Sequence, residues 1–157
     1  MIADNSQIRE IGPTEPLLPT VARIYAHMPA EWTAIQQQST DDYSSILQVL
    51  RQTLSNADGA LFATARPDDF VTAFTWLVGL KSKERRAHLN AIWVAPDFRG
   101  KGIAALVLAR VEQKARASGI TTITAHVHGL NARMLAFTLR HHFRLGYLTI
   151  EKELSNA

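Results

Sequence analysis

The apolar residues of this chain switch between two rhythms. Leu17, Leu18, Val21, Ile24, Tyr25 and Met28 keep the three-and-four spacing of a helix with one buried face, and Pro29 limits it. Ile46, Leu47, Val49, Leu50 and Leu54 repeat that spacing over 41–55, behind an acidic start at Asp41 and Asp42 that suits a helix N-terminus. Residues 29–40 carry no clear rhythm and read as loop or short helix. From residue 60 the pattern becomes strand-like, over 60–65, 70–80 and 88–94, with polar connectors at 66–69 and 81–86. Connectors this short predict an antiparallel meander.

Helical spacing returns over 103–118, with Ile103, Leu106, Val107, Val111 and Ala115 on one face and Gly119 suited to the left-handed position after its end. A β-branched alternation predicts a strand over 121–128, then a helix over 131–141 and a last strand or hairpin over 143–154. With a short strand at 7–11, closed by Gly12 and Pro13, the order is β-α-α-β-β-β-α-β-α-β. A meander feeding one βαβ crossover predicts an α/β (α+β mixed) fold with a mixed, mostly antiparallel central sheet and flanking helices.

Composition narrows the chemistry. At 157 residues, one domain spanning 1–157 is expected. There is no cysteine, so neither a disulfide framework nor a thiol nucleophile is available. The net charge of +3 comes from scattered bases, which argues against nucleic acid as partner. The first residues lack a charged segment followed by an apolar run, and no apolar stretch approaches spanning length, so a cytoplasmic protein without a membrane partner is expected.

The candidate chemistry lies between Ile92 and Ala105, IWVAPDFRGKGIAA. A glycine-spaced basic loop opening a helix offers unpaired backbone N–H groups at the positive end of the helix dipole, a place for phosphate or pyrophosphate. Gly100, Gly102 and Ala105 also fit the dinucleotide fingerprint. That reading fails because residues 96–99 separate them from the strand, and the next strand ends at His126 and His128 without a carboxylate. The pattern Arg99-x-x-Gly102-x-Ala104 arises by chance about 0.1 times in such a chain, so its context between an apolar strand and an amphipathic helix carries the weight.

In that context the chain resembles the GNAT superfamily of acyl-CoA-dependent N-acyltransferases. Residues 94–104 look like the family's pyrophosphate loop, and Asn131 with Phe143 looks like its second block. The resemblance implies a GNAT-like fold and an N-acetyltransferase that moves the acetyl group of acetyl-CoA directly to a primary amine. It implies cofactor contacts from Ile92, Trp93, Val94, Arg99, Gly100, Lys101, Gly102, Ile103, Ala104 and Asn131. Three positions depart from the pattern: Met134 replaces a small residue, Thr138 the usual tyrosine acid, and His142 the usual glycine.

Acetyl transfer needs a neutral amine, hence a base. His88 occupies a position where family members carry a glutamate or histidine, and His88-Leu-Asn90 resembles the His-x-His of arylalkylamine N-acetyltransferases. Strand alternation puts His88, Asn90, Ile92 and Val94 on one face. His126, five residues before Asn131, is the rival base, with His128 on its face. Zinc is allowed by residue type at these histidines, but no carboxylate or cysteine accompanies them, so no metal is expected. Trp76 and Trp93 read as core. The expected partner is an amine-bearing substrate, chosen by residues 29–43 and 81–86; a homodimer stays open. The alternatives are a transferase for another acyl-CoA, and a catalytically silent acyl-CoA-binding or protein-interaction module.

Overall fold

The computed structural model describes residues 8–28 and 43–146. The segment 29–42, with Glu31, Trp32, Asp41 and Asp42, and the expected strand beyond residue 146 lie outside the described residues. The chain divides into two compact units, Met1–His126 and Val127–Ala157.

In the first unit a five-stranded sheet runs β1 (Arg9–Glu10), β2 (Gly59–Ala65), β3 (Val71–Val78), β4 (Arg86–Val94), β5 (Thr122–Ala125), with neighbours in sequence adjacent in space. The first four pair antiparallel and β5 joins β4 in parallel, the mixed sheet expected from the meander and crossover. Helix α1 (Leu18–His27), with a proline in its first turn, and α2 (Tyr43–Ser55) bury Leu18, Val21, Ile46 and Leu50 against Leu61, Phe74, Trp76 and Trp93 on one face of the sheet. Helix α3 (Ile103–Ala117) packs against β2, β3 and β4, burying Ile103, Val107, Leu108, Val111 and Ala115. Leu108 is buried where the spacing had favoured Leu106, which is only half-buried.

The helix stops have a common construction. After α3, Gly119 at φ 79 bonds back to the Arg116 carbonyl and Ile120 to that of Ala115, as the glycine predicted. After α2 the same double bond runs from Ala57 to Leu54 and from Asp58 to Thr53, with Ala57 itself left-handed at φ 52. Gly59 follows, where a Cβ would come within 3.0 Å of the Leu77 carbonyl and 3.1 Å of Thr53, so only glycine lets α2 run this close to β2 and β3.

In the second unit, α4 (Ala132–Arg140) is capped by Asn131, whose side-chain oxygen accepts from the Met134 N–H at 3.1 Å. It ends in the same paired bonds, His142 to Leu139 and Phe143 to Thr138, with His142 at φ 66. The histidine that stands where glycine was expected adopts the left-handed conformation that glycine takes without strain.

Candidate active site

The site grows from a mismatch in length between β4 and β5. Their parallel ladder runs from Arg86 with Thr122 to Leu89 with Ala125 and stops, while β4 continues to Val94. The expected strand to residue 128 therefore ends at Ala125. Beyond Leu89, no strand among the described residues covers that edge of β4. The Ala95 N–H bonds the Thr72 carbonyl at 2.8 Å, so residue 95 points toward β3. Successive amides alternate along a strand, which aims the Val94 N–H, and the Ile92 N–H before it, at the uncovered edge.

A bulge corrects the expected face. Trp76 pairs with Ala91 but Leu77 pairs with Leu89, so Asn90 is an extra residue without a partner on β3. Opposed residues share a face, and the extra residue reverses the alternation beyond it. His88, opposite Val78, lies with Asn90, Ala91 and Trp93 on the α1–α2 side. Ile92 and Val94 lie with Leu89 on the α3 side, not with His88. Trp93 and Trp76 are core, as expected. Asn90 remains half-buried beside the end of the β4–β5 ladder.

Three side chains meet on the α1–α2 side of that junction. His88 Nδ1 lies 3.1 Å from the hydroxyl of Thr124, the residue directly opposite on β5. The Thr124 hydroxyl also lies 3.3 Å from the Ala87 carbonyl. The ring of His126 stands 4.6 Å from that of His88, centre to centre. His88 is half-buried and His126 exposed. The pKa of His88 lies below its ordinary value, first because burial disfavours the charged imidazolium and second because His126 repels it. His88 and His126 are thus brought together. His128 belongs to the second unit, where its Nδ1 accepts from the Leu130 N–H at 3.1 Å. Among the described residues no group of three or more His, Cys, Asp or Glu is arranged to hold a metal ion.

At the far end of β4 the chain makes a single 3₁₀ turn, Pro96–Phe98, and enters α3 through the basic loop. Arg99 Nε donates to the Val94 carbonyl at 2.8 Å, tying the loop to the strand end. Lys101 donates to the Asp97 carbonyl at 2.9 Å and covers the Phe98 ring. Gly100 and Gly102 are left-handed, and a Cβ at either would meet nothing within 4 Å. Gly102 is the N-cap of α3 and supplies no side chain to its first turn. The amides of Ala105 and Leu106 return to the Gly102 carbonyl, whereas those of Ile103 and Ala104 have no backbone acceptor among the described residues. That leaves donors, positive φ and open space together at one helix start.

The other expected residues have local duties. Asn131 caps α4, and Thr138, buried in that helix, donates its hydroxyl to the Leu135 carbonyl at 2.9 Å. A cavity of about 510 Å³ opens between Ile24, Phe70 and Trp93 with Asp68 and Asp69 at its rim, and no histidine lines it.

The sequence profile of the acetyltransferase (GNAT) family matches residues 21–143. The chain belongs to the GNAT family of acetyltransferases. Solved structures agree with the GNAT fold over nearly the whole chain. YycN of Bacillus subtilis, provisionally described as an acetyltransferase, superposes with a TM-score of 0.67 at 19% identity, covering 95% of this chain and 99% of its own. A Pyrococcus furiosus protein with a similar provisional description gives 0.69 at 15% identity, with 94% and 99% covered. An aminoglycoside acetyltransferase from an uncultured soil metagenomic sample, in complex with sisomicin, gives 0.66 at 11%, with 96% and 95% covered. No curated protein sequence matches the chain. Among the described residues no helix is long and apolar enough to cross a membrane.

Two features of this GNAT site escaped the sequence. The Asn90 bulge leaves no mark, because His-Leu-Asn-Ala-Ile reads as plain alternation. Thr124 was one of several strand threonines until β5 was set in register with His88.

Proposed function

We propose that this single-domain GNAT protein works in the cytoplasm as an N-acetyltransferase, moving the acetyl group of acetyl-CoA directly to a primary amine. The observation that carries the reading is the edge of β4 that no described strand covers, running into a helix start whose Ile103 and Ala104 amides have no backbone acceptor among the described residues. Acetyl-CoA fits the residues at both ends. Gly100 and Gly102 leave the space that side chains would fill, and the amides of Ile103 and Ala104, with Arg99 and Lys101 nearby, suit a pyrophosphate. Ile92, Trp93 and Val94 would flank the rest of the cosubstrate. Bound there, it supplies an acyl group activated as a thioester.

The chain's own residues do the remainder. The Val94 N–H faces the gap and is the donor available to an acyl carbonyl. His88, neutral at pH 7, takes the proton that the attacking amine sheds; a positioned base of this kind contributes about 10²–10⁴ in rate. His126 is the alternative base. Thr138 supplies no acid, since an aliphatic hydroxyl holds its proton too tightly near neutrality and this one is engaged with Leu135.

The decisive experiment follows free-thiol release from acetyl-CoA against a panel of arylalkylamines, polyamines, aminoglycosides and lysyl peptides. Acetyl-CoA-dependent turnover of any acceptor supports the reading. Tight acetyl-CoA binding with no turnover of any acceptor would leave the competing one, a catalytically silent acyl-CoA-binding module, which the replacement of the tyrosine by Thr138 favours. A longer acyl donor working better than acetyl-CoA would move the donor assignment.

A further inference from the structure

The contacts of Thr124 favour one arrangement of the proton on His88. The Ala87 carbonyl can only accept, and threonine has one hydroxyl proton, so that proton is directed to Ala87. The lone pairs of the same oxygen then face His88 Nδ1 at 3.1 Å, which must carry hydrogen to complete the bond. A neutral imidazole has one N–H, so Nε2 is left unprotonated. We propose that Thr124 is a positioning residue for the transfer, holding His88 as the Nδ1–H tautomer so that Nε2 is the atom that accepts the amine proton.

This rests on His88 being the base. The geometry behind it is backbone-determined, because the parallel ladder sets Thr124 directly opposite His88 before any side chain is chosen. The other groups facing this histidine do not compete for Nδ1. Val78 lies opposite on β3, Arg86 precedes it on the same face of β4, and Thr122 and His126 flank Thr124 on the β5 side. His126 approaches as a ring, with no hydrogen bond between the two imidazoles.

The test uses the whole protein and reads the tautomer directly. In ¹⁵N-histidine-labelled protein at a pH where His88 is neutral, its nitrogen shifts should report Nδ1–H. Thr124→Val keeps the shape and the strand propensity but removes the oxygen, and should convert His88 to a mixture of tautomers. Thr124→Ser keeps the hydroxyl and should keep the wild-type signature. With acetyl-CoA and whichever of 2-phenylethylamine, spermidine or a lysyl peptide is turned over, Thr124→Val should lower kcat by roughly three- to tenfold, the worth of one neutral hydrogen bond, with KM for acetyl-CoA unchanged. Thr124→Ser should restore the rate. Wild-type His88 found as Nε2–H, or a Val variant with an unaltered tautomer, overturns the proposal. A changed tautomer with unchanged kcat overturns its catalytic half while leaving the base assignment standing, provided His88→Ala is slow. If His88→Ala keeps full kcat, the base assignment fails and the role of Thr124 in the reaction fails with it.

Discussion

Gly102 shows how a missing side chain acts. It sits at φ 79 with nothing near its Cβ position, so valine there meets no protein atom. Its cost comes from the left-handed backbone, about 1–2 kcal/mol for a residue with a Cβ, and from methyl groups placed where a ligand would lie. Gly102→Val should weaken acetyl-CoA binding at least about tenfold, since 1.4 kcal/mol corresponds to one decade. Calorimetry showing unchanged affinity removes the loop from the cofactor assignment. At His88 the sign of the pKa shift matters. A base works when neutral and this imidazole is harder to protonate than usual, so the acidic limb of kcat/KM should fall below the ordinary 6.5. His126→Ala removes the second cause and leaves burial, so the limb should move upward but stay under that value. A wild-type limb above 6.5 contradicts this. The same shift touches stability: between the two pKa values the unfolded chain holds more protons, so stability rises with pH there and is lost on acidification.

The strands and helices show what periodicity can and cannot carry. The described α-helices and strands are foreshadowed in order: the helices bury one face, which spaces Leu18, Val21 and Ala22 in α1, while β2 and β3 are buried on both faces and read as near-continuous apolar runs. Polar and non-periodic features left less trace. The bulge at Asn90 was invisible, since one unpaired residue changes no composition. The end of β5 was set too late, because His126 and His128 continue an alternation that no ladder supports. The helix ends fall where the spacing puts them, at Ser55 and beside His141, but the left-handed residue that follows is marked only where it is a glycine, not at Ala57 or His142. Glycine tolerates that backbone at no steric cost. Ala57→Gly and His142→Gly should each raise stability, by about 0.5–1 kcal/mol, measured by denaturant unfolding. A fall in either midpoint would show that the methyl of alanine or the imidazole makes contacts worth more than the strain.

The protein as a whole should register its cosubstrate thermally. A ligand that binds only the native state at a hundred times its Kd adds about 2.7 kcal/mol. For a chain of this length that corresponds to a rise in Tm of roughly 5–11 °C. Melting with and without acetyl-CoA checks it, and the rise should fall by about half or more in Gly102→Val but be kept in His88→Ala. Equal loss in both would mean that the histidine variant has damaged the fold. The loop proposed to hold the cosubstrate is legible in the sequence, because backbone that is left-handed and unobstructed shows as glycine at 100 and 102. The proposed catalytic side chains are less so, because the meeting of His88 with Thr124 and His126 depends on the register of β4 with β5, which no local pattern declares.

Asn90 makes β4 a strand of two parities. Odd-numbered residues face α3 before it, at Ala87 and Leu89, and face the opposite side after it, at Ala91 and Trp93. Changing the side chain at 90 leaves that inversion in place; removing the residue abolishes it. A chain lacking Asn90 must either turn the histidine end of the strand over or drive Trp93 out of the core, since both halves cannot keep their faces. Substitution and deletion at one position should therefore part widely: Asn90→Ala should melt within a few degrees of the parent, while the deletion should lose cooperative unfolding.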